Sequence, residues 1–140
     1  MLTTSLPDVV KFVTEMADAA IPDPNRSVGI GWERDGEVVA GVVYENYKGA
    51  SIEAGIAVAS GAVITKEFLW AIFDYPFNQL KVGLVIVYIA ESNWKSRNLA
   101  ERMGFELETR IVGAYPDGDM LIYTMTAGNC RWLESKHEIG

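Results

Sequence analysis

Apolar and polar positions follow two periods along this chain, and the switches between them mark its elements. Leu6, Val9, Val10, Val13, Met16, Ala17 and Ala20 recur at helical spacing. Ser5 precedes them as a cap, and Pro7 stands in the first turn, where a missing N–H costs nothing. Ile21–Asn25, with Pro22 and Pro24, ends that helix. Two runs of strand character follow, Ser27–Arg34 and Glu37–Tyr47, joined by Asp35-Gly36, a pair suited to a two-residue hairpin. A third, Ser51–Ala59, comes after the turn at Lys48-Gly49. Thr65 caps a second helix over Lys66–Tyr75, with Ile64 and Leu69 spaced as a hydrophobic staple, and Pro76 and Asn78 close it. Lys81–Ala90 is apolar at almost every position, which predicts a central strand covered on both faces. Asn93–Met103 reads as a third helix, ended by Gly104 in a left-handed conformation. Phe105–Ala114 and Met120–Thr126 are strands on either side of the turn signal Tyr115-Pro116-Asp117-Gly118. The order α-β-β-β-α-β-α-β-β predicts an α+β (mixed α/β) fold: a central mixed, mostly antiparallel sheet flanked by helices, not a repeating doubly wound one.

Composition narrows the picture. With 140 residues, 49% of them apolar, the chain can build one self-sufficient core. No repeat or linker divides it, so residues 1–140 read as a single domain with a core over about 28–126 and a tail over 127–140. Cys130 is the only cysteine, which leaves no disulfide framework or zinc cluster and fits a reducing compartment. The N-terminal segment lacks the basic start and long apolar run of a leader, and no run approaches the roughly 20 apolar residues of a membrane span. The expectation is a cytoplasmic protein with no membrane partner. A net charge of −7 disfavours nucleic acid and favours a basic acceptor such as an amine.

The strongest chemical signal lies in Glu91–Glu108, "ESNWKSRNLAERMGFELE". Asn93, then Ser96, then a short helix ending in Gly104-Phe105 resembles the motif of the GNAT superfamily of acyl-CoA-dependent N-acetyltransferases, over roughly Val28–Met125. The serine at position 96 is closest to the ribosomal-protein N-terminal acetyltransferases. The tail Cys130-Arg131-Trp132-Leu133 is similar to short phage- or prophage-encoded proteins of this fold. The resemblance implies acetyl-CoA as co-substrate. It also implies a primary amine as acceptor, on a small molecule or on a protein or peptide, and is compatible with a homodimer. The alternative is a catalytically degenerate binding or inhibitory protein of the same fold.

The site residues follow from the resemblance. The strands Ser51–Ala59 and Lys81–Ala90 are expected to splay, with the pantetheine arm pairing to the backbone around Ile56, Ala57 and Val58. Gly61, Ala62, Thr65 and Lys66 stand where the family has its pyrophosphate-binding loop, or form an ordinary strand–helix connection with Thr65 as cap. The family loop is richer in glycine and carries Arg or Gln, whereas Ala59–Lys66 has Gly61 alone and no Arg. Charge can come from Lys66, or instead from Lys95, Arg97 or Arg102. Asn93 either holds the arm or only caps its helix, and Ser96 stands in the first helical turn, facing ligand or solvent. Many family members place a proton-donating Tyr where this chain has Ala100. The catalytic candidates are therefore Glu53 and Glu91 as bases and Tyr88 as proton donor, with Tyr44 a second tyrosine of core character. His137 reads as solvated. Phe68–Phe77 reads as a helix face on the sheet or as an acceptor wall, and Trp132 as an anchor for a dimer or a sheet edge.

Overall fold

The computed structural model describes residues 1–17 and 25–133. Ala20, most of the Ile21–Asn25 helix stop, and His137 lie outside the described residues. Seven strands form one sheet: β1 (Leu2–Thr3), β2 (Val28–Arg34), β3 (Glu37–Glu45), β4 (Ser51–Val58), β5 (Leu84–Ala90), β6 (Glu106–Tyr115) and β7 (Gly118–Thr126). Their spatial order is β1-β2-β3-β4-β5-β7-β6, antiparallel throughout except for the parallel pair β4–β5. Three α-helices among the described residues accompany them: α1 (Leu6–Ala17), α2 (Lys66–Asp74) and α3 (Trp94–Met103). The α+β class, the mixed and mostly antiparallel sheet, and the order of helices and long strands match the sequence reading, with the short β1 added at one edge.

Asp35 and Gly36 both take positive φ, 54° and 82°, which closes β2 onto β3 in the hairpin expected of this pair. Thr65 caps α2, its Oγ1 accepting from the Phe68 N–H at 3.1 Å. At the end of α3, Gly104 has φ 107°. Its N–H reaches the Glu101 carbonyl at 3.1 Å, and the Phe105 N–H reaches the Ala100 carbonyl at 2.9 Å. That pair of bonds is a Schellman termination, which only a residue tolerant of positive φ makes cheaply. Phe105 then buries its ring beside Phe73, at 6.0 Å between centroids.

The end of the second helix, and the start and burial of the central strand, differ from the sequence reading. The second helix does not stop at Pro76 but continues as a π-helical turn, Tyr75–Gln79, with the Leu80 N–H on the Tyr75 carbonyl. Proline is harmless there because it stands in the first turn of that segment. Asp74 accepts from the Asn78 and Gln79 side chains, both at 2.8 Å, and holds the turn. The central strand starts at Leu84, not Lys81, because Lys81 takes φ 62° and Val82 and Gly83 donate to Pro76 and Ala50. It is central, between β4 and β7, yet covered on one face only: Val85, Val87 and Ile89 are buried, whereas Tyr88 is exposed.

The helices divide between the faces. Val9 and Val13 of α1 pack on Val43 and Ala57, while α2 and the end of α3 cover the other face in a larger core. Arg131 and Trp132 bind the end of the third helix. The indole Nε1 donates to the Met103 carbonyl at 2.8 Å and Arg131 to the Arg102 carbonyl at 2.6 Å, so the tail caps the C-terminus of α3, where a cation is favoured.

Candidate active site

The parallel pairing of β4 with β5 is short. It joins Ser51–Glu53 to Leu84–Ile86 and goes no further. Beyond it β4 stays with β3 and β5 stays with β7, so the two strands are pulled apart by different neighbours. A cavity of about 720 Å³ opens in the gap. Ala54–Ile56 form one wall, Val87–Ala90 the other, and Asn93, Ser96 and the β6–β7 turn close the end. A smaller recess of about 260 Å³ shares Met16, Ile56, Ser96 and Leu99 with it. The two spaces thus form one groove, from the strand gap to the loop Ala59–Ile64.

Asn93 caps α3: its Oδ1 accepts from the Ser96 N–H at 3.2 Å. The cap fixes both side chains at the mouth of the strand gap. Because Oδ1 is committed to the helix, any hold on a ligand falls to the amide Nδ2.

Glu45 and Glu53 face each other across β3 and β4 as direct register partners, and both line the cavity. Glu53 is held by Lys48 at 2.9 Å and by the Asn46 amide at 3.1 Å. Partial burial, then the charge of Glu53, pushes the Glu45 carboxyl above the ordinary range. Tyr88 lines the cavity from the β5 side; partial burial first, and then the charge of Glu53, raises its phenol.

Glu91 has other partners. It pairs with Arg110, which also binds Asp119 at 2.9 Å, and it is absent from the lining of both spaces. Of the residues singled out in the sequence, Glu53, Tyr88, Asn93 and Ser96 meet in the main cavity. Ile56, Ala57, Val58, Gly61 and Ala62 line the recess. Thr65 and Lys66 line neither, Thr65 being the cap of α2. Ala100, where the family tyrosine would stand, is buried against the cavity, and Tyr44 is buried with its hydroxyl on the Ile72 carbonyl. Arg97 is engaged with the Glu91 carbonyl at 3.0 Å, whereas Lys95 and Arg102 border the recess. Sequence reasoning missed Glu45 and Tyr115. The signal for Glu45 was an acid closing an otherwise apolar strand, and Tyr115 lay hidden in a turn motif.

The model of one family, the acetyltransferase (GNAT) domain, matches residues 3–106. The chain belongs to the GNAT acetyltransferases. Acetyl transfer from acetyl-CoA is the reaction class of that family, as the resemblance of the α3 motif implied. No curated protein sequence matches it. Among solved structures, it is similar to the spermidine N-acetyltransferase of Vibrio cholerae in complex with CoA and spermine. Identity is 15%, TM-score 0.70, with 92% of this chain and 96% of that one covered. It is also similar to the Campylobacter jejuni N-acetyltransferase PseH in complex with acetyl coenzyme A, at 19% identity and TM-score 0.55, covering 75% and 70%. A "Probable acetyltransferase" shares 22% identity at TM-score 0.62, covering 74% of this chain, which spans only 62% of that protein's length. At these identities the likeness is one of fold. Among the described residues no helix is long and apolar enough to cross a membrane.

Proposed function

We propose that this chain transfers the acetyl group of acetyl-CoA to a primary amine bound beside Glu45 and Glu53. The observation that carries the reading is the divergence of β4 from β5 after Glu53 and Ile86, which opens a deep groove between two strands that begin as neighbours. Past that point the backbone groups on this edge of β4 face the gap. An extended amide-bearing arm can pair with them as an added strand around Gly55–Val58. A backbone N–H on the same edge can stabilise negative charge developing on the thioester oxygen. The amine nitrogen forms its bond to the acetyl carbon as the carbon–sulfur bond breaks. An amine that enters as an ammonium ion loses one proton before it attacks and a second as the amide forms, and the thiolate leaves with a proton.

Glu53 and Tyr88 are the groups proposed to move those protons, directly or through water. Glu91 becomes a structural residue, since it lines neither space and its carboxylate is paired to Arg110. Like charges directly opposite on neighbouring strands cost stability, and Glu45 and Glu53 are such a pair at the cavity wall. Lys48 offsets only part of that cost, and a cationic amine entering the cavity would offset the rest. The fold likeness to a protein holding CoA and spermine supports an amine acceptor. The acidic net charge of −7 supports its attraction over distance.

Thiol release from acetyl-CoA, followed with a panel of primary amines that includes polyamines, tests the reading. Amine-dependent release is expected, with KM for the amine rising roughly tenfold or more in Glu45→Gln and Glu53→Gln. Release that ignores every amine, in a protein that binds acetyl-CoA, would leave only the binding-module reading standing.

A further inference from the structure

The loop Ala59–Ile64 has fewer groups for phosphate than the loop typical of the family. It carries no arginine, and the N–H groups of Ala59 and Ala62 donate to the Val39 and Ala59 carbonyls, at 2.8 and 3.0 Å. The recess in front of it nevertheless has a cationic side. Lys95, Asn98 and Arg102 fall at i, i+3 and i+7 of α3, which sets them on one helix face, and all three line the 260 Å³ space. Neither Lys95 nor Arg102 forms an ion pair among the described residues. In an acidic chain, two such cations flanking one recess, continuous with the strand gap, are conspicuous.

Building on the proposed reaction, we propose that this face of α3, through Lys95 and Arg102 with Asn98 between them, holds the phosphate groups at the nucleotide end of acetyl-CoA in place of a phosphate-binding loop. The arm lying between β4 and β5 leads toward this recess along the shared lining residues Ile56, Ser96 and Leu99. Arginine supplies a planar donor fork for phosphate oxygens and lysine a mobile point charge. Asn98 adds an amide donor. Lys66 at the start of α2 borders neither space and takes no part.

Calorimetry with CoA and with phosphate-free S-acetylpantetheine separates this claim from the reading beneath it. In Lys95→Gln and Arg102→Gln, CoA affinity is expected to fall about tenfold each, and further in the double variant. Lys66→Gln should leave it within about twofold, and S-acetylpantetheine should bind all variants alike. The salt dependence of CoA binding should become shallower in the double variant, since two screened charges are gone. Wild-type CoA affinity in the double variant would overturn the inference, and so would equal losses for both ligands. A wild-type protein that binds neither ligand would overturn the proposed function together with it.

Discussion

Asn93 caps α3, and its proposed hold on the pantetheine arm separates from that cap by mutation. Its Oδ1 caps α3 through the Ser96 N–H, so Asn93→Ala should destabilise the fold by about 1 kcal/mol, read as a shift in the denaturation midpoint. Serine caps about as well as asparagine, so Asn93→Ser should be nearly neutral for stability. It should still weaken acetyl-CoA binding roughly 2- to 13-fold, because serine cannot reach the arm as the Nδ2 amide does. Unchanged affinity in a folded Asn93→Ser protein would reduce the residue to its cap. The residues legible in the sequence at this scale are those whose role is local. Gly104 follows from the need for positive φ after a helix, and Thr65 from the open N–H groups ahead of one. Glu45 was not legible, because its importance comes from register with Glu53, and no local rule fixes register across a five-residue connection.

Each element is held by contacts that set further expectations. The first helix lies unusually close to the sheet because Gly29, Gly31 and Gly41 present no side chain to it. A Cβ at Gly31 would meet Val9 Cγ2 at 2.9 Å and Thr3 Cγ2 at 3.0 Å. Gly31→Val should therefore cost about 1–3 kcal/mol by lifting α1, measured by denaturant unfolding. The β6–β7 hairpin is held to the end of β5 by Arg110, which joins Glu91 and Asp119. The Gly113 N–H, and then Arg110, hold the Asp119 carboxyl below the ordinary aspartate range. A carboxyl with a depressed folded value contributes stability above its unfolded range and loses it as pH falls through the folded one. Asp119→Asn should accordingly lower the melting temperature near neutral pH, with the gap from wild type closing as the solution is acidified. A gap that stays constant with pH would contradict this role. The π-helical turn Tyr75–Gln79 was not legible, since a sequence pattern does not distinguish a proline that ends a helix from one seated in the first turn of the next segment.

At the scale of the whole molecule, the order of elements was readable from apolar patterning together with the cap and turn residues that separate the segments from Val28 to Thr126. The groove was reachable only through the family resemblance. It exists because β4 and β5 are claimed by different neighbours after three paired residues, a property of the assembled sheet. Two helices on one face and one on the other leave the far half of the sheet, around Tyr88, uncovered on the side of α1. That opening gives the acid pair access to solvent and, in the proposed reaction, to an acceptor. The proposed reaction requires the groove to take acetyl-CoA. Isothermal titration of the folded chain with acetyl-CoA tests it most directly. One saturable site is predicted, with a negative heat-capacity change from the apolar strand walls and a melting temperature that rises with ligand concentration. No heat and no thermal shift at millimolar acetyl-CoA would contradict it.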